Sequence, residues 1–177
     1  MSTSSTIDWS CFECKYAIFD LDGTLLDYEG ASFTAFEKIL ADYNTTFSIA
    51  LHASIIGTKD SDWSRNIIDE CGLKNQLSPD DLVRKYHEVV LTLFSTMKLM
   101  PGAEALLKEL RRRNIPIAIA TSSHSSVVPQ KISYHPILSD ISVIVTGDDS
   151  AVKNGKPAPD IFIEAAKRLG VPTDDYA

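Results

Sequence analysis

Three short runs of largely apolar residues each stop abruptly at a polar turn, and this repetition constrains the fold more than any other feature of the chain. The runs lie at residues 16 to 20, at Ile117-Ala118-Ile119-Ala120 and at Ile141-Ser142-Val143-Ile144-Val145. They are too short for helices and are bounded by turn-forming residues, so they read as strands. From residue 100 onward strand and helix alternate, and the strands lack a polar face. A parallel sheet covered on both sides follows from that pattern. Ligands gather at the carboxyl ends of the strands in such sheets. Asp20, Thr121 and Asp148 stand just there.

Between the first strand and the second the sequence changes character. Phe33, Phe36, Ile39, Leu40 and Tyr43 recur at helical spacing, as do Trp63, Ile67, Ile68 and Cys71, with Gly72 as a stop. Ser78-Pro79-Asp80-Asp81 supplies an N-cap, a proline in the first turn and an acid three residues after the cap. The helix it opens carries Leu82, Val83, Tyr86, Val89, Val90, Leu93 and Phe94. About three helices are expected here. A further helix is expected from about Gly102 to Arg113 with Ala105, Leu106 and Leu110 facing inward, and a last one after Pro159 with Ile161, Ala165 and Leu169. Arg111, Arg112 and Arg113 close the first of these and complement its dipole.

Charge narrows the function classes. The 177 residues carry a formal net charge of -7, which leaves no basic excess to displace counterions from a nucleic-acid backbone. No apolar run approaches the length of a membrane span. The N-terminal Met1-Ser2-Thr3-Ser4-Ser5-Thr6 lacks the basic and apolar segments of a secretory signal, so a cytoplasmic monomer that binds neither nucleic acid nor membrane is expected. Cys11-Phe12-Glu13-Cys14 has the spacing of a redox pair or half a zinc site, but no second pair follows and no helix opens after it. It reads as structural.

The first strand ends in Asp20-Leu21-Asp22-Gly23-Thr24, and nothing about a strand requires two acids there. A hydroxyl cluster, Thr121-Ser122-Ser123, ends the second strand, and Lys156 lies in Lys153-Asn154-Gly155-Lys156-Pro157. Adjacent carboxylates repel unless a cation separates their roles. Magnesium, which prefers oxygen ligands, would stabilise them and bind a phosphoryl oxygen as well, with lysine and hydroxyl donors for the remaining oxygens. Thr121 alone also fits a helix cap.

At these residues the chain resembles the haloacid dehalogenase-like superfamily. Asp20-Leu21-Asp22-Gly23-Thr24 is similar to its first motif, Thr121 to its second and Lys156 in Gly155-Lys156-Pro157-Ala158-Pro159-Asp160 to its third. Leu99-Met100-Pro101-Gly102-Ala103-Glu104, Ala120-Thr121-Ser122-Ser123, Thr146-Gly147-Asp148-Asp149 and Asn154-Gly155-Lys156-Pro157 resemble the branch of pseudouridine-5'-phosphatases and glycerol-3-phosphatases. The resemblance implies an α/β fold, a Rossmann-like parallel core formed by residues 1–27 and 96–177 with an all-helical cap inserted at 28–95. It implies a magnesium-dependent phosphatase of small phosphorylated metabolites. An acid at Asp22 separates phosphatases and phosphomutases from dehalogenases and P-type ATPases, so a phosphomutase is the alternative, along with a form that only binds phosphorylated ligands or a partner.

In the implied mechanism Asp20 attacks phosphorus and Asp22 serves as acid and then base. Thr121 and backbone amides near Ser122 hold the phosphoryl group, Lys156 offsets its charge, and Gly23 permits the turn. Asp20 and the Asp22 carbonyl would bind magnesium. Lys59 falls where a cap loop reaches over the substrate, or is a solvated lysine. Asp27 is placed at the hinge, and His124, Asp148 and Asp149 have either a site or a structural role. The family pattern calls for further acids after the next strand, whereas this chain stops at Asp174-Asp175-Tyr176-Ala177. Truncation before that fourth motif, with weak turnover, is the expectation.

Overall fold

The computed structural model describes residues 13–172. Cys11, Asp174 and Asp175 lie outside the described residues. The elements run β1 (Ala17–Phe19), α1 (Tyr28–Ala41), α2 (Ile49–Ile55), α3 (Asp60–Glu70), α4 (Pro79–Leu93), α5 (Ala103–Arg112), β2 (Ile117–Ala120), α6 (Val128–Ile132), α7 (Pro136–Ser139), β3 (Val143–Val145) and α8 (Asp160–Arg168). A single 3-10 turn, Phe94–Thr96, follows α4.

The three strands are parallel in the order β1-β2-β3, with Ile18 opposite Ala118 and Ala118 opposite Val143. Side chains alternate across a strand, and each face finds its own cover. Ala118, Ala120 and Val145 pack with Ile161 and Ala165 of α8 on one face. Ile119 packs on the other with Leu21, Ala103, Leu107, Val128 and Leu138, contributed by the β1 turn, α5, α6 and α7. The small alanines on β2 let α8 approach closely. The expected sheet with two covered faces is present.

Helices α1 to α4 enclose a separate cluster. Phe36, 2% exposed, stacks on Tyr86 with ring centroids 4.5 Å apart and meets Trp63 edge-on at 5.2 Å. Local chemistry starts these helices. Asp27 accepts a bond from Gly30 N at 3.0 Å, Ser48 from Leu51 N at 3.1 Å and Ser78 from Asp81 N at 3.1 Å. The chain leaves and re-enters the sheet layer side by side. Asp27 N donates to Lys98 O at 2.9 Å, Met100 N donates to Leu25 O at 2.9 Å, and Leu26 bridges Leu99. Asp27 therefore sits at the crossing between the two layers, capping α1 and pairing with the returning strand.

The sequence-based reading needs correction in three places. Four α-helices, not three, stand between β1 and β2 before α5, because the short α2 is set by its Ser48 cap and shows no apolar stripe. The inward face of α5 is Ala103, Leu107 and Leu110, whereas Ala105 is exposed and Leu106 only half-buried. Apolar residues at 103, 105, 106, 107 and 110 leave the phase of the helix open, and packing against α7 selects it. The outer strands are also shorter, spanning Ala17–Phe19 and Val143–Val145, with Ile141 buried in the preceding loop. No helix among the described residues is long and apolar enough to cross a membrane.

Candidate active site

Parallel strands bring their carboxyl ends to one edge, and Asp20 and Thr121 follow β1 and β2 there. The Asp20 carboxylate accepts Leu21 N at 2.8 Å through Oδ1, which also lies 2.8 Å from Lys156 Nζ. Lys156 reaches back from the loop before α8, donates to Ala120 O at 3.0 Å and stands 5.0 Å over the Phe162 ring. Its peptide bond to Pro157 is cis. The first and third candidate motifs are thus joined by a direct ion pair.

After Asp20 the backbone folds sharply. Leu25 N and Leu26 N both donate to Leu21 O at 2.9 Å, and Gly23 N donates to Leu26 O at 2.8 Å. Gly23 has φ of +75°, a left-handed conformation, and a Cβ there would meet nothing within 4 Å. Glycine is required for conformation and not for space. The turn presents Asp22 to the loop after β2, where Ser123 Oγ donates to Asp22 Oδ2 at 2.7 Å.

Thr121 is 1% exposed, and its N donates to Val145 O at 3.0 Å. Its Oγ1 accepts Ser123 N at 3.1 Å, which curls the loop and leaves the hydroxyl proton to donate elsewhere. The backbone of exposed Ser122 is pressed against Gly147, where a Cβ would collide with the Ser122 carbonyl oxygen and lie 2.9 Å from its carbon. Gly147 N also donates to Ser123 O at 3.1 Å. The loops after β2 and β3 fit together without room for a side chain.

Asp148 and Asp149 hold these loops in place. Asp148 accepts Ser125 N at 2.8 Å and Ser125 Oγ at 2.6 Å and lies 3.2 Å from His124 Nε2. Those bonds, the Ser125 hydroxyl first, hold its carboxyl far below the ordinary aspartate range. Asp149 lies 2.8 Å from Arg168. His124 faces Asp148 and Ser126. Lys59 is exposed at the N-terminal boundary of α3; its neighbours Thr58 and Asp60 line a cavity that its own side chain does not.

One residue escaped the sequence reading. Lys131 of α6 is 3% exposed, and its Nζ lies 2.9 and 2.8 Å from the two carboxylate oxygens of Asp22 and 2.9 Å from Ser123 Oγ. The ring of Tyr28, the first residue of α1, covers the ammonium at 3.9 Å. Burial pushes the Lys131 pKa down, and the charge of Asp22 opposes that shift. The only signal in the sequence is a lysine within the mostly apolar Val127-Val128-Pro129-Gln130-Lys131-Ile132, which is weak.

As donors for a hard cation, Asp20 Oδ2 and the Asp22 carbonyl have suitable chemistry, whereas both Asp22 side-chain oxygens are taken up by Lys131 and Ser123. Among the described residues no group of three or more His, Cys, Asp or Glu side chains is placed to hold a metal ion. They supply part of a coordination shell.

Known proteins resemble the chain in sequence and in fold. A (DL)-glycerol-3-phosphatase 1, mitochondrial, of Arabidopsis thaliana is 42% identical over 155 residues, covering 87% of this chain and 52% of the relative. A probable pseudouridine-5'-phosphatase of Drosophila melanogaster is 35% identical, covering 89% of this chain and 68% of the relative. The chain thus spans about half the length of the former and two thirds of the latter. The crystal structure of a putative beta-phosphoglucomutase from Thermotoga maritima superposes with a TM-score of 0.76 at 27% identity, over 92% of this chain and 74% of that one. The family model described as haloacid dehalogenase-like hydrolase matches residues 17–176, from β1 through α8 and past it. With strand-end acids, a partnering lysine and a helical insertion all inside that match, the chain belongs to the haloacid dehalogenase-like hydrolase family.

Proposed function

We propose that the site is that of a magnesium-dependent phosphatase acting on small phosphorylated metabolites, glycerol 3-phosphate or a nucleoside or sugar monophosphate. The observation that carries this reading is the placing of Asp20 at the end of β1, in contact with Lys156 and beside the Thr121 loop. A carboxylate oxygen of Asp20 attacks phosphorus in line, the bond to the ester oxygen breaks, and the departing alkoxide takes a proton from Asp22. Water then attacks the aspartyl-phosphate, gives its proton to Asp22, and frees Asp20 and inorganic phosphate. Lys156 offsets charge on the phosphoryl oxygens, and the Thr121 hydroxyl and the amides after it donate to them. Magnesium, held in part by Asp20 and the Asp22 carbonyl, would neutralise phosphoryl charge when bound. The names of the two relatives above support the substrate class.

Purified protein assayed with magnesium against a panel of phosphomonoesters tests the reading. Steady phosphate release, abolished by Asp20→Asn together with a hydroxylamine-labile phosphoryl label, supports it. Isomerisation of a hexose phosphate that needs a bisphosphate primer would favour the phosphomutase alternative, for which the likeness to the Thermotoga structure speaks. Ligand binding without turnover would favour the non-catalytic form.

A further inference from the structure

Where α3 and α4 cross, the two helices leave a groove of about 530 Å³. Asp60 and Ser64 of α3 line it together with Asp80, Val83, Glu88 and Leu91 of α4. It is separate from the smaller cavity around Glu29 of α1 and His52 of α2, which stand 3.4 Å apart, although Asp60 and His87 border both. We infer that the groove is a second binding site, for a primary organic amine that joins one ammonium group to an apolar body. A phosphomonoester is an anion and this lining is acidic, so the ligand is not the substrate and the inference stands apart from the phosphatase reading.

Two acceptors that lack donors mark the ammonium position. Ser64 is 0% exposed, and its hydroxyl finds no hydrogen-bond partner among the described residues. Buried hydroxyls are rarely left so. Asp60 lies four residues earlier, which places the two side chains on one face of α3. Its Oδ1 accepts the Trp63 indole N–H at 3.0 Å, whereas Oδ2 has only His87 Nε2 at 3.5 Å, too far for a good hydrogen bond. An ammonium carries three N–H donors and no acceptor, so one group can serve Ser64 Oγ and Asp60 Oδ2 together.

Charge gives the ligand its sign. Among the described residues that line the groove, Arg84 is the only permanent cation, and Asp81 and Glu88 take it up at 3.1 Å each. Asp80 stands exposed with no ion pair among the described residues. Asp60, Asp80 and Glu88 thus leave a negative potential over the groove, which attracts a cation and repels an anion.

A bare ammonium would not fill the site. Val83, His87 and Leu91 follow one another at successive turns of α4, and Leu91 is 43% exposed. A hydrocarbon body attached to the ammonium covers apolar surface that water otherwise meets. The volume corresponds to roughly eighteen waters at about 30 Å³ each, room for one ring with a short chain.

Trp63 supplies the reporter, because its indole N–H is bonded to Asp60. Titration of the 177-residue chain with 2-phenylethylamine, followed by the Trp63 indole N–H resonance, is compared with 2-phenylethanol, which has the same shape and no charge. The amine is expected to move that resonance to saturation and to bind about tenfold more tightly than the alcohol, the difference that one charge-assisted hydrogen bond makes. Ser64→Ala should weaken amine binding several-fold and leave the melting temperature equal or higher, since it deletes a buried hydroxyl that has no partner. Asp60→Asn should remove most of the preference for amine over alcohol while keeping an oxygen for the Trp63 indole. Equal affinity for amine and alcohol, an indole signal that does not move, or amine affinity unchanged in both variants would overturn the inference. A lower melting temperature for Ser64→Ala would overturn it as well, by showing that the hydroxyl already has a partner within the fold.

Discussion

Lys131 Nζ bridges both carboxylate oxygens of Asp22, at 2.9 and 2.8 Å, under the ring of Tyr28. The acid proposed to exchange protons with alcohol and water therefore has its rotamer fixed by a lysine from the core and an aromatic ring from the helical insertion. Replacing Lys131 by Met keeps the stem's packing and removes the clamp. A misplacement of a reacting group by about 1 Å costs on the order of 100-fold in rate, so kcat should fall by that order while KM for a phosphomonoester changes little. Lys131→Arg, which restores a cation, should recover part of kcat. A KM increase with unchanged kcat would assign Lys131 to substrate binding instead.

Gly147 meets the backbone of Ser122, and a methyl group there has no space. Gly147→Ala must push the loops after β2 and β3 apart, at a cost of about 1–3 kcal/mol for overpacking. Because Ser122 follows Thr121, the same displacement moves the amides proposed to hold the phosphoryl group. The expected outcome is a lower melting temperature together with weaker competitive inhibition by inorganic phosphate. A variant with reduced stability but unchanged phosphate inhibition would separate the loop contact from the site.

The parallel sheet was legible because Ile117-Ala118-Ile119-Ala120 has no polar face, and Asp20 and Asp22 because acids at a strand end have no packing reason to be there. Lys156 was legible through its Gly-Lys-Pro setting, and the structure places it against Asp20. Lys131 was not, since its partner is 109 residues away and a single lysine in a five-residue helix carries no periodic signal. Glu29 lies in the first turn of α1 and His52 in the last turn of α2, and only tertiary packing brings them together. The phase of α5 was misread for a related reason. Its run of apolar residues permits two inward faces, and α7 decides between them.

Phe36 anchors the helical insertion, and its contacts stay within the cluster of α1 to α4. Phe36→Ala deletes a fully buried ring and should cost about 3–5 kcal/mol. Since the sheet has its own clusters around Ile119 and Ala118, the loss should be local. Hydrogen exchange should show amides of α1 and α4 losing protection while those of β2 keep theirs. Equal loss in both would mean that the two layers unfold as one cooperative unit.

Acid stability offers a test remote from the site. Glu109 Oε1 lies 2.7 Å from Arg112 and 2.6 Å from Arg113, and Oε2 takes Arg112 Nε at 2.8 Å. The hydrogen bonds from Arg112 and then Arg113 hold its carboxyl down to about 2, from an ordinary value of 4.5. A carboxyl whose folded pKa is depressed stabilises the fold fully above the unfolded value and loses that contribution as pH falls through the folded one. Wild type should therefore exceed Glu109→Gln in urea midpoint by a constant margin above pH 4.5, and the margin should shrink toward pH 2. These groups lie at the surface, so salt should reduce the margin at every pH. A margin that does not change between pH 5 and pH 2 would mean that Glu109 acts through packing of its stem and not through its charge.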